Sequence, residues 1–164
     1  MNSFIAPVAL IVPLTMLIFT PGGVQKEQRH CPEPQAAEDP KFHPGQVWEY
    51  HTRPREKKST LTILKIESIP QLGVIVHIRV DKIRLRNCSG GPEPDKFEHM
   101  PFSRDAIDRS VVKLVKDHSD VPNFAEGYAE WREDCGGIYT ISVAEAIQAG
   151  EEVFNNHFGC KLKN

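Results

Sequence analysis

Apolar and polar positions alternate along the first half of the chain and recur at helical spacing along the second. In Gln46–Thr52 (QVWEYHT), Trp48, Tyr50 and Thr52 share one face and Val47, Glu49 and His51 the other. That period of two marks a half-buried strand. The polar run Arg53–Lys58, with Pro54, predicts a turn. Ser59–Ile69 (STLTILKIESI) is rich in β-branched residues and predicts a second strand. After a turn at Pro70–Gly73, Val74–Val80 places Val74, Val76, Ile78 and Val80 on one face and Ile75, His77 and Arg79 on the other. Ile83 and Leu85 continue the His77 parity, so a bulge or turn is expected at Asp81–Lys82. Lys96–Met100 predicts a fourth strand.

Helical spacing follows. Ser103 is a predicted N-cap for a helix over Arg104–Asp117, with Ile107, Val111, Leu114 and Val115 as its apolar stripe. Asn123 is placed to cap Phe124–Asp134, where Phe124, Tyr128 and Trp131 share a face. Ile138–Ile141 predicts a short strand. Ser142 and Glu145 form a capping box for a helix to about Asn155. The order ββββ-αα-β-α predicts an α+β fold. Its sheet is mainly antiparallel, of about four or five strands, with about three helices packed on one face.

Charge divides the chain differently. It has 20 Lys+Arg against 22 Asp+Glu, yet residues 1–25 carry none of them. The apolar run Phe4–Phe19 is 16 residues long, short for a membrane span of about 20. Residues 1–23 are therefore read as a signal peptide or N-terminal anchor. Residues 24–41 are a Pro-rich linker, 42–156 a single domain and 157–164 a tail. Export to a periplasm or cell envelope is the expectation; a mis-assigned start before a cytoplasmic domain is the alternative. Membrane contact is expected only through residues 4–20, if uncleaved. The net charge of −2 speaks against nucleic acid as a partner. Locally the balance shifts: Tyr50–Arg86 holds nine Lys+Arg and three Asp+Glu, whereas Glu93–Val153 holds six and fourteen.

Four cysteines lie beyond the leader, at Cys31, Cys88, Cys135 and Cys160. An exported domain would close two disulfides. A strand after Cys135 and a returning helix before Cys160 favour Cys135–Cys160, leaving Cys31–Cys88; four unpaired thiols are the alternative.

No familiar catalytic motif is present, and no Cys/His spacing suits a metal, so no cofactor is expected. His77, His99 and His51 are the candidates for acid–base chemistry, if they converge on one sheet face. Trp48, Tyr50, Arg79, Tyr128 and Trp131 are the candidates for binding; aromatics at such spacing also serve as core.

The segments Phe42–Tyr50 (FHPGQVWEY), Ser59–Ile63 (STLTI), His77-Ile78, His99–Ser103 (HMPFS) and Gly127–Trp131 (GYAEW) resemble a set of small uncharacterised bacterial proteins. The resemblance covers roughly Phe42–Val153. It implies a bacterial source and a compact domain, and brings no activity. One small domain, no catalytic motif, a Pro-rich spacer and a two-signed surface give the expectation of a small exported or anchored binding protein without catalytic activity, whose partner would be a protein. A small hydrolase or metal-dependent enzyme using His77 and His99, or an immunity-type inhibitor, stand as alternatives.

Overall fold

Residues 31–159 are described in a computed structural model of the chain. The predicted leader lies outside them. The six strands are β1 (Gln35–Ala36), β2 (Val47–Tyr50), β3 (Thr60–Ile69), β4 (Gly73–Asp81), β5 (Lys96–Ser103) and β6 (Val111–Lys116). The helices are α1 (Arg104–Ser110), α2 (Ala125–Glu133) and α3 (Val143–His157). One sheet runs β5-β4-β3-β2-β6, every ladder antiparallel. β1 pairs with the far end of β3, through Gln35–Ser68 and Ala36–Glu67. The α+β class and the antiparallel sheet are as expected.

The strands form where apolar residues alternate, and β4 shows why this sheet is covered on both sides. Val76, Ile78 and Val80 are fully buried with Leu61 and Ile63 of β3 and Met100 and Phe102 of β5. Ala106 and Ile107 of α1 and Val143, Ala146 and Ile147 of α3 complete this larger core. The expected helical layer is thus made by α1 and α3. The alternate residues of β4, Ile75 and His77, are equally buried and leave the opposite face. There Trp131 of α2 packs with Ile69 and Ile75 in a second cluster. Lys82 takes φ of 57°, the turn expected at Asp81–Lys82, and returns Ile83 and Leu85 to the larger core.

Ser103 caps α1 by accepting from the Ala106 N–H, and Ser142 and Glu145 form the capping box of α3. Two local expectations are corrected. The helix predicted to Asp117 stops at Ser110, and Val111–Lys116 is a strand paired with β2. Its apolar positions fit both periods. The β-branched run VVKLV and the unpaired edge of β2 decide for the strand. Ser110 helps the break, since its Oγ donates to the Ala106 carbonyl and accepts from the Val143 N–H. The strand predicted at Ile138–Ile141 reduces to a parallel bridge between Tyr139 and Phe102.

The cysteine pairing is also corrected. Cys31 is bonded to Cys135, with Cα atoms 5.1 Å apart, so neither Cys31–Cys88 nor Cys135–Cys160 forms. The reason is that the Pro-rich segment docks. Beyond the β1–β3 pairing, the Pro32 carbonyl accepts from Arg132 Nη1 at 2.8 Å, and Glu33 pairs with the same guanidinium. This lays Cys31 beside the end of α2. Cys88 is disulfide-bonded as well; Cys160 lies outside the described residues.

Peptide mapping without reductant is expected to recover Cys31 linked to Cys135. Recovery of Cys31 with Cys88 would contradict this fold. The bridge spans 104 residues, and loops of that size give disulfides their largest effect. A Cys31→Ser/Cys135→Ser variant should lose roughly 2–4 kcal/mol in urea unfolding.

Candidate functional site

On the α2-covered side of the sheet, five polar side chains form one continuous hydrogen-bonded group. β3 projects Lys65 and Glu67, two residues apart and therefore on the same face. β4 brings His77, opposite Lys65 in the ladder, and β5 brings His99. α2 lays Tyr128 over them. The Glu67 carboxylate lies 3.0 Å from His77 Nε2, and His77 Nδ1 lies 2.8 Å from His99 Nε2. Tyr128 donates its hydroxyl proton to Glu67, at 3.0 and 3.1 Å from the two oxygens. Lys65 Nζ reaches the Tyr128 oxygen at 2.7 Å and Glu67 at 2.5 Å.

His77 has no access to solvent. Burial lowers its pKa to about 4, only partly offset by the Glu67 carboxylate; the neighbouring His99 and Lys65 add to the lowering. At neutral pH it is an uncharged imidazole with one N–H. Glu67 accepts hydrogen bonds and offers none when ionised, so that N–H sits on Nε2. His77 Nδ1 is then the acceptor for an N–H on His99 Nε2. The contact between Glu67 and His77 is thus a neutral-donor hydrogen bond and not an ion pair. Burial lowers the His99 pKa too, against the pull of Glu67. Lys65 moves the other way. Burial opposes its charge, but Glu67 and Tyr128 outweigh this and raise its pKa.

Aromatic rings wall the pair of imidazoles. Phe124 stacks on His99 with ring centres 6.2 Å apart, and Trp131 meets His77 edge-on at 4.9 Å. Gly127 makes the approach possible, since a Cβ there would sit 2.9 Å from His99 Cβ. The sequence candidates therefore divide. His77, His99, Tyr128 and Trp131 come together. His51 is exposed beyond β2, its backbone N–H bonded to the Ser110 carbonyl. Trp48 and Tyr50 belong to the larger core, Tyr50 sharing a 2.7 Å hydrogen bond with Ser59. Arg79 shares the His77 side of β4 and is held by Asp81. Lys65 and Glu67 were not among the candidates; their signal is two charges inside a β-branched run.

A second polar cluster surrounds α3. Glu151, with no solvent exposure, accepts from Arg53, Arg55, Arg86 and the Arg86 backbone N–H. Burial by itself would raise its pKa; the Arg86 N–H and the three guanidiniums hold it below the usual value. Glu56, also buried, takes Arg53 and the Arg84 N–H. Two cavities open here. One of about 530 Å³ is lined by Arg53, Arg55, Arg86, Glu145 and Gln148. The other, of about 540 Å³, is lined by Lys57, Lys58, Lys82, Arg84 and Glu56. Pro54 and Arg55 line both.

Among the described residues, no three His, Cys, Asp or Glu side chains are arranged to hold a metal ion, and no helix is long and apolar enough to cross a membrane. No family model matches the chain, and neither a curated protein nor a solved structure is significantly similar to it.

The histidine burial carries a sign. An unfolded histidine titrates near pH 6.5, above the folded value of about 4 for His77. The stability gained from the neutral ring is complete above pH 6.5 and is lost as pH falls towards 4. His77 alone accounts for a difference on the order of 3 kcal/mol. Urea unfolding at pH 7.5 and 4.5 should show this fall, and His77→Gln should shrink it. Gly127→Ala should cost about 1–3 kcal/mol by overpacking against His99, read at pH 7.5.

Proposed function

We propose that this chain is a binding module acting through the paired cavities beside α3, and not an enzyme. The observation that carries this reading is how the two clusters use their side chains. Beside Pro54, Ile83 and Ala144, the cavities are lined by cations, carboxylates and an amide, with no histidine, serine, threonine or cysteine among the described residues of their walls. Such a lining, apolar surface with a few charged groups at fixed places, suits holding a ligand. The groups suited to proton transfer lie elsewhere and are committed to one another. His77 uses both ring nitrogens within the protein, and Glu67 is shared by Lys65, His77 and Tyr128.

Export to a bacterial envelope fits this module. A disulfide between Cys31 and Cys135 suits an oxidising compartment.

One observation favours a second reading. Glu67, His77 and His99 run in series, carboxylate to imidazole to imidazole, and His99 is only half-buried. In that order the carboxylate orients one ring and that ring orients the next, which leaves His99 Nδ1 as a general base. The three groups lie in line and do not face a common centre, so the second reading is acid–base hydrolysis.

The two readings separate in a turnover screen. The full chain is assayed on ester, phosphoester and peptide substrates from pH 5 to 9, beside His99→Ala. Equal, buffer-level rates for both proteins are expected. Turnover present in the wild type and abolished in His99→Ala would replace the binding reading with the second.

A further inference from the structure

We infer that the paired cavities take a small polyanion: one oxyanion group among Arg53, Arg55 and Arg86, another among Lys57, Lys58 and Lys82. The inference deepens the binding reading and rests on it.

Three observations point to this ligand class. The first is excess charge. Seven cationic side chains line the two cavities, against Glu56 and Glu145 in the walls and Glu151 behind them. Two of the three carboxylates are taken up by the inner guanidiniums, exposed Glu145 keeps its charge, and Arg84 is paired with Glu93, so the excess lies with Lys57, Lys58 and Lys82. Glu56 and Glu151 are buried against Arg53, Arg55 and Arg86, and Glu145 is bonded to Ser142. Lys57, Lys58 and Lys82 are exposed, and none takes part in an ion pair among the described residues.

The second is preorganisation. The Arg53 side chain is 9% exposed and is clamped between Glu56 and Glu151. Arg55 and Arg86 are tied to Glu151 and keep part of their guanidiniums at the surface, with side chains 33% and 40% exposed. Arg86 Nε is buried and has no hydrogen-bond acceptor among the described residues. Guanidiniums held in this way meet an oxyanion without first losing side-chain freedom, and their fork geometry suits phosphate and carboxylate alike.

The third is continuity. Pro54 and Arg55 border both cavities, so the two cationic groups face adjoining spaces. A ligand with one anionic group engages half of this surface; a ligand with several engages both.

The test is isothermal titration calorimetry on the full chain at low salt, with tripolyphosphate, citrate and orthophosphate as probes. Tripolyphosphate or citrate should bind at least tenfold more tightly than orthophosphate. Which of them binds more tightly assigns the oxyanion as phosphate or carboxylate. The variant Lys57→Gln/Lys58→Gln/Lys82→Asn should weaken the tighter probe at least tenfold. Asparagine is chosen at 82 because that residue has φ of 57°. Lys113→Gln/Lys116→Gln, on β6, should leave binding unchanged. No heat with either polyanion, equal affinity in the first variant, or equal loss in the second would overturn the proposal. Those outcomes remove the ligand class, whereas turnover lost in His99→Ala removes the binding reading itself.

Discussion

Three carboxylates with almost no contact with water set the arrangement of polar groups in this domain. Glu56, Glu67 and Glu151 are each at most 2% exposed. A buried carboxylate without partners is severely destabilising, so each must find donors inside the fold. Glu67 gathers Lys65, His77 and Tyr128. Glu56 and Glu151 gather Arg53, Arg55, Arg86 and two backbone N–H groups. The consequences reach well beyond the pairs. Glu67 ties α2 to the middle of the sheet through Tyr128. Glu151 ties α3 to the β2–β3 connection and to the segment after β4.

The two networks differ in what they leave over. Around Glu67 the donors and acceptors nearly balance, and aromatic rings close the space. That balance gives rigidity and a pH-dependent stability. Around Glu151 three guanidiniums converge on one carboxylate, and further lysines stand outside it. The interior requirement is met, and Arg55 and Arg86 keep part of their guanidiniums at the surface, held in place by the same contacts. The positions of Arg55 and Arg86 on this side therefore follow from a structural need.

Sheet coverage explains why both networks exist in so small a domain. Most of β3 and β4 is buried on both faces, one by α1 and α3 and the other by α2. A strand covered on both sides has no solvent face for its polar residues. His77 and Glu67 lie where a half-exposed sheet would simply have hydrated them. The Cys31–Cys135 bridge secures the end of α2 that helps to cover them.

Local periodicity and capping were legible in the chain before any tertiary contact was known. Alternation in QVWEYHT and VIVHIRV specified β2 and β4, β-branched residues in STLTILKIESI specified β3, and Ser103 and Ser142 specified the starts of α1 and α3. The chain also brought His77, His99, Tyr128 and Trp131 forward as candidates, because polar and aromatic residues within apolar patterns are visible in one dimension. Tertiary structure decided the rest. Val111–Lys116 fits both periods, and only the open edge of β2 made it a strand. Cys31 met Cys135 because a segment without its own core docked beside α2. Glu151 reads as one more surface residue of α3 until Arg53 and Arg55, almost a hundred residues earlier, fold against it. Contacts at that separation arise from packing, and no local pattern records them.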